Sequence, residues 1–297
     1  MSRVPLADAP VSPTGEAGAG VNQPGAGLED KHRALRRLLD GIPSLIIAYS
    51  GGVDSAFLAH TASEVLGSRA LCVTADSASY PDRHRRMALD LAERFGFHHE
   101  IIHTGELERP EYRANPANRC YYCKHELYSH LTAMARQRGI AVIADGSNAD
   151  DRGDYRPGRQ AAREFGVRSP LDEVGLAKDE IRELSRRAGL PTWDEPASAC
   201  LSSRIPYFSE VTDEKLRTIE RAEEILRDLG FRVCRVRHHE TMARIELGRD
   251  EMARALDADM AATIDRELRA LGYQHVVVDL RGYRLGSLND ALRLRPV

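Results

Sequence analysis

The sequence predicts an α/β fold: a doubly wound parallel sheet followed by a smaller C-terminal α+β domain. Three observations carry that prediction. Short apolar runs alternate with amphipathic helical patterns up to about residue 205, and strand–helix alternation builds parallel sheets through right-handed crossovers. A glycine-rich turn, Ser50-Gly51-Gly52-Val53-Asp54-Ser55, joins the first apolar run, Leu45-Ile46-Ile47-Ala48-Tyr49, to a helical pattern opening at Ala56. Past Pro206 the order changes to helix, hairpin, helix, strand.

Residues 1–28 are rich in Pro, Gly, Ala and Val without a period and predict a disordered lead-in. Leu35, Leu38 and Leu39 mark an amphipathic helix that stops near Gly41-Ile42-Pro43. Residues 70–75 read as a second buried strand with Cys72 inside it. Residues 83–95 read as a helix with Met87, Leu91 and Phe95 along one face, and residues 99–103 as a third strand. His98, His99 and His103 fall on alternate faces there, so hydrogen-bonded histidines are expected rather than a metal cage. A helix over 124–137 leads to the strand 140–144, and residues 178–188 form a helix closed by Gly189. Beyond Pro206 come a helix over 213–229, strands at 232–238 and 243–247, a helix over 258–271 and a strand at 275–280. The expected organisation is a lead-in (1–28), an α/β domain (29–205) and an α+β domain (206–297).

Two adjacent glycines let the backbone turn sharply and bring its N–H groups close to a ligand. The helix that follows favours an anion at its N-terminus. Ser50 and Ser55 add hydroxyl donors, and Asp54 is suited to hold magnesium on phosphates. No Gly-Lys-Ser/Thr follows, so this is not a Walker A loop. Residues 145–151, Asp-Gly-Ser-Asn-Ala-Asp-Asp, lie at the carboxyl end of the fourth strand, where open α/β sheets bind ligands. They should face the glycine turn; helix capping is the plainer alternative.

A net charge of −3 gives no electrostatic case for nucleic acid. No apolar run reaches membrane-spanning length. The N-terminus lacks a basic-then-apolar signal pattern, so a cytoplasmic protein is expected. In that reducing setting the five cysteines read as ligands or reactive thiols before disulfides. Cys120-Tyr121-Tyr122-Cys123 is compatible with a redox pair, half a zinc site or two unrelated thiols, and no second C-x-x-C completes a zinc site. Cys200 lies in a Pro- and Ser-rich loop, where Arg204 offers cationic help toward a thiolate; a buried loop thiol is the alternative. Cys234 reads as packing.

The glycine turn resembles the pyrophosphate loop of the N-type ATP pyrophosphatases, which split ATP into AMP and pyrophosphate to activate a substrate. The run Gly146 to Asp151 resembles their second nucleotide and magnesium motif. From about residue 45 to 248 the chain further resembles the sacrificial sulfur transferases of the LarE type. The matching segments are Ser50–Ser55, Asn118–Lys124, Gly146–Asp151 with Asp154–Gly158, Ser169–Leu171, Ala199–Tyr207, Arg235–His238 and Ala243–Glu246. Phe208 departs from the pattern, which has glycine there, and bears on the flexibility of the reactive loop.

The resemblance implies ATP and Mg2+ as cofactors. It places Ser50, Gly51, Gly52, Val53, Asp54, Ser55, Gly146, Asn148 and Asp151 at the nucleotide, and Asp54 and Asp150 at magnesium. The implied reaction adenylates a carboxylate of a pyridinium mononucleotide, the nickel-pincer nucleotide precursor, and inserts sulfur to give a thiocarboxylate. Arg235 and Arg237, two apart on one strand face, become candidates for the substrate's phosphate, with solvated strand arginines as the alternative. In one form of the family the cysteine matching Cys200 gives up its sulfur and becomes dehydroalanine. In another, three cysteines hold a [4Fe–4S] cluster with one open iron; Cys120, Cys123 and Cys200 match that form. A homo-oligomer is also implied. The rival readings are another ATP pyrophosphatase (a tRNA thiolase or an amidotransferase-type synthetase) and a nucleotide-binding regulator without turnover.

Overall fold

The computed structural model describes residues 25–153, 157–196, 199–284 and 286–289. Most of the expected lead-in, and Asp154 to Arg156 of the matching segments, lie outside them. The first helix, α1 (Gly25–Asp40), begins inside the segment read as lead-in. It docks through Leu28, Leu35 and Leu39, all buried.

The central sheet comprises β1 (Leu45–Ala48), β2 (Ala70–Asp76), β3 (His99–His103) and β4 (Val142–Ala144), all parallel and ordered β3-β2-β1-β4. α2 (Val53–Leu66) follows β1, and α3 (Asp82–Arg94) follows β2. α4 (Pro110–Arg113) and α5 (Arg119–Arg138) lie between β3 and β4; α6 (Pro157–Glu164), α7 (Pro170–Glu173) and α8 (Lys178–Arg187) come after β4. Side chains of β1 alternate between two cores. Leu45 and Ile47 pack with α1, α2, α3 and α8, whereas Ile46 and Ala48 pack with α5 and α6. A strand covered on both faces has to be apolar throughout, which is why β1 reads as a continuous hydrophobic run. Burial of each Leu or Ile contributes about 1.5–3 kcal/mol. The sheet is thus doubly wound, as the alternation of elements predicts.

The C-terminal part places α9 (Asp213–Asp228), β5 (Cys234–His239), β6 (Met242–Leu247), α10 (Met252–Ala255), α11 (Ala258–Ala270) and β7 (His275–Val278) around a second sheet. Its order is β5-β6-β7, antiparallel then parallel. Cys234, Val236, Ala243, Ile245 and Leu247 pack beneath Leu226, Ile264 and Leu268. Period-two alternation sends Arg235, Arg237, Arg244 and Glu246 to the opposite face.

One boundary differs in a way that matters. α5 starts at Arg119, not Lys124, so the C-x-x-C pair lies within its first five residues. Polar and aromatic residues give that stretch no apolar period. Backbone bonds from Arg119 N–H to Pro116 O (2.9 Å) and Tyr121 N–H to Asn118 O (2.8 Å) wind it instead. Among the described residues, no helix is long and apolar enough to cross a membrane.

Candidate active site

The Ser50–Ser55 turn lies between the carboxyl end of β1 and the N-terminus of α2. Gly51 has φ +65°, and a Cβ there would stand 2.7 Å from the Ala88 Cβ on α3. Only glycine suits both that conformation and that approach. Ser55, buried, closes the turn from within: its Oγ accepts from Ser50 N–H (3.2 Å) and donates to Gly52 O (3.1 Å). Ser50 is the exposed hydroxyl of the pair.

The 145–151 turn faces this loop, as its position after β4 predicts. A Cβ on Gly146 would stand 2.9 Å from Ser55 N, so the two turns touch through glycine. Asn148 donates from Nδ2 to Asp54 Oδ1 (3.2 Å), and its own N–H is held by Asp151 Oδ2 (3.1 Å). Asn148 and Asp151 are both buried, whereas Asp150 is exposed. Asp145 anchors the turn, accepting from Tyr128 Oη (3.0 Å) and Ser169 Oγ (2.8 Å).

Lys178, the first residue of α8, carries no signal in the local sequence. Its Nζ donates to Asp54 Oδ2 at 2.5 Å and its backbone N–H to Asp150 Oδ2 at 2.8 Å. Two helix N-termini, α2 and α8, and one ammonium therefore meet two carboxylates. That arrangement suits a polyphosphate with magnesium, because Mg2+ is usually bound through one or two carboxylates plus substrate phosphates.

Cys120 and Cys123 share the start of α5, Cys123 packs against the apolar cluster that holds Leu201, the neighbour of Cys200, and all three are free thiols. A thiolate at position 200 would raise both Cys120 and Cys123. Cys123 is pushed up by burial and then by Glu106. Cys120 is exposed by surface area, yet chain packed around its sulfur raises it while Arg119 works against the rise. Among the described residues, no three His, Cys, Asp or Glu side chains are spaced to hold a metal ion. Cys72 and Cys234 are core residues, pushed up by burial to about 12 and about 11.

Arg119 is the cation at the thiols that the motif reading passed over, although it adjoins Cys120. It is 2% exposed and donates to Asn115 Oδ1 and to Ser202 O (3.0 Å). Burial works against its charge, but Cys200, Cys120, Tyr112 and Tyr207 hold it above the ordinary arginine value. Arg204 plays a different part. It is fully buried, pairs with Glu223 (Nε–Oε1 2.8 Å, Nη2–Oε2 3.0 Å), and donates to the carbonyls of Ala199 (2.6 Å) and Cys200 (3.0 Å). Its contact is with the backbone of Cys200. Phe208 is 53% exposed with φ +69°, its N–H held by Asn115 O at 2.9 Å. That left-handed backbone suits the glycine that the resemblance leads one to expect there.

Arg235 and Arg237 are buried on the outer face of the second sheet. Arg237 reaches Ser203 O (2.7 Å), Glu246 Oε2 (2.8 Å) and Ser287 Oγ (2.7 Å), which ties this face to the Cys200 loop. Its Nε is buried with no hydrogen-bond partner among the described residues. Arg235 stacks over Tyr283 at 5.2 Å, and burial, then the Arg204 charge, lowers its pKa. A crowded cationic face with an unpaired donor suits an anion.

No family model matches the chain. An uncharacterized protein of Synechocystis is 43% identical over 265 residues, 89% of this chain and 99% of that one. The pyridinium-3,5-bisthiocarboxylic acid mononucleotide synthase of Lactiplantibacillus plantarum is 35% identical over 268 residues, 90% and 96% of the two chains. One chain of the glutamine-hydrolyzing GMP synthase of Thermoplasma volcanium is 28% identical over 195 residues, 61% and 62% respectively. A parallel sheet whose central strand feeds this glycine turn, opposed by the acidic turn after β4, defines an α/β protein of the PP-loop ATP pyrophosphatase class. Within that class the chain belongs to the LarE family, as its near full-length likeness to the Lactiplantibacillus synthase shows.

Proposed function

We propose that the protein is an ATP-dependent sulfur transferase acting on a carboxylate of a pyridinium mononucleotide. The observation that carries this reading is the meeting of Asp54, Asn148, Asp150 and Lys178 at the glycine turn. Support comes also from the name of the Lactiplantibacillus relative, a synthase of the bisthiocarboxylic acid mononucleotide.

A carboxylate resists nucleophiles until one oxygen becomes a leaving group. In the proposed first step a substrate oxygen bonds to the α-phosphorus of ATP, and the bond from that phosphorus to the β-phosphate oxygen breaks. The turn N–H groups, the α2 and α8 N-termini and Lys178 stabilise the charge on departing pyrophosphate. Asp54 and Asp150 would hold Mg2+, which supplies charge neutralisation on the phosphates. Arg235 and Arg237 would orient the substrate through its own phosphate. Sulfur then bonds to the carbonyl carbon and AMP leaves with the C–O electron pair.

Cys120, Cys123 and Cys200 have the donor chemistry of a [4Fe–4S] cluster with one iron open to exogenous sulfide, but as placed among the described residues they are not spaced to hold it, so the cluster reading rests on the three-cysteine motif. Protein purified without oxygen is then expected to contain iron and labile sulfide, both lost on changing any of the three cysteines to alanine. Colourless protein that acquires dehydroalanine at Cys200 after one turnover would make Cys200 itself the donor and overturn the cluster. The likeness to GMP synthase favours one rival, an amidating synthetase. That enzyme would tolerate loss of all three thiols.

A further inference from the structure

The segment leaving the carboxyl end of β2 is bonded on both sides. On one side Tyr80 Oη donates to the carbonyl of Ser50, in the glycine turn, at 2.9 Å. On the other, Ser79 O accepts the N–H of Leu201, the residue next to Cys200, at 2.8 Å. One peptide unit therefore lies between the ATP turn and the cysteine loop.

That unit is held with unusual completeness. Ser77 Oγ and Ser79 Oγ each donate to Glu106 Oε1 at 2.6 Å, and Thr104 Oγ1 donates to Oε2 at 3.0 Å. The turn is closed by Tyr80 N–H to Ser77 O at 3.0 Å. Glu106 is 2% exposed and Ser79 3%. Burying a carboxylate is costly without strong partners, and here three hydroxyls supply them. Glu106 also acts electrostatically on Cys123 and Tyr112, and the Tyr112 hydroxyl meets Ser202 Oγ at 2.6 Å.

We propose that Ser79 and Tyr80, fixed by Glu106, are positioning residues that transmit occupancy of the ATP turn to the Cys200 loop. The proposal rests on the ATP-dependent sulfur-transfer reading. Its consequence is that activation and sulfur delivery proceed in step: phosphates that shift the Ser50 carbonyl also shift Leu201, and Cys200 with it. An ordinary loop staple would support the fold and transmit nothing.

The test is amide hydrogen exchange of the peptide containing Leu201, with and without Mg-ATP, in wild type and Tyr80→Phe, with ATP affinity measured in parallel. Removing one hydroxyl should change ATP affinity by about tenfold or less. Wild type should show a change of exchange at Leu201 on binding Mg-ATP, and Tyr80→Phe should bind yet lose that change. In turnover the variant should release pyrophosphate in excess of sulfur-bearing product. Glu106→Gln should act in the same direction; if it does not fold, Tyr80→Phe still decides. An undiminished response in Tyr80→Phe, or wild type that binds ATP without any response, overturns the coupling. Wild type that binds no ATP overturns both the coupling and the proposed function. Wild type that responds to ATP but makes no sulfur-bearing product sinks the proposed function and leaves the coupling standing.

Discussion

Lys178 Nζ lies 2.5 Å from Asp54 Oδ2, joining residues 124 apart in the chain. The ammonium holds the carboxylate beside the place the phosphates would take. Lys178→Met is expected to weaken ATP binding by about ten- to a hundredfold, the worth of a charge-assisted hydrogen bond. Asp54→Ala is expected to abolish ATP-dependent pyrophosphate release while the thermal melt stays near wild type. Turnover at the wild-type rate in Asp54→Ala would place the ATP site elsewhere.

Arg235→Ala and Arg237→Ala are expected to weaken binding of the mononucleotide by about ten- to a hundredfold and that of ATP far less. Calorimetry with each ligand separately checks this. Equal losses for both ligands, or none, contradict a phosphate role. Because Arg237 also pairs with buried Glu246, Arg235→Ala is the cleaner variant.

Glu223 gives a pH dependence. Burial alone would raise its pKa, but Arg204, helped by Arg235 and Arg227, brings it from 4.5 to about 2. A carboxylate held below its unfolded value stabilises the native state above that value and loses the contribution as pH falls through the folded one. About 3 kcal/mol should therefore disappear between roughly pH 4.5 and pH 2. Glu223→Gln leaves Arg204 buried without its charge partner, at a cost of about 3–5 kcal/mol near neutral pH. In denaturant melts the gap between variant and wild type should narrow on acidification; a constant gap would falsify this assignment.

Phe208→Gly is expected to raise stability by about 1 kcal/mol, because a side chain at positive φ carries a steric cost that glycine avoids. A lower melting temperature in the variant would show that the exposed ring makes compensating contacts.

The architecture was legible because β1 and β2 had to be apolar on both faces and the glycine turn had to stand between strand and helix. The meeting of the two turns was legible too, since the carboxyl ends of β1 and β4 are neighbours in the sheet. Long-range partners stayed hidden. Nothing around Lys178 announces Asp54, and nothing around Arg204 announces that its guanidinium bonds to Glu223 and to carbonyl oxygens beside its electrostatic link to Cys200. The start of α5 is not legible because its first residues pack through Tyr121, Tyr122 and Cys123, which face two different clusters and show no aliphatic period. Arg119 is visible in the sequence as a charge beside Cys120, and only its burial distinguishes it from a solvated arginine.

The most direct measurement is mass spectrometry of the mononucleotide after incubation of oxygen-free protein with ATP, Mg2+ and sulfide, with pyrophosphate counted in parallel. The expected result is a nucleotide with carboxylate oxygen replaced by sulfur, one pyrophosphate released per sulfur inserted, and neither in Asp54→Ala. Pyrophosphate release with an unchanged nucleotide, or no ATP consumption at all, would contradict sulfur transfer as the function of this site.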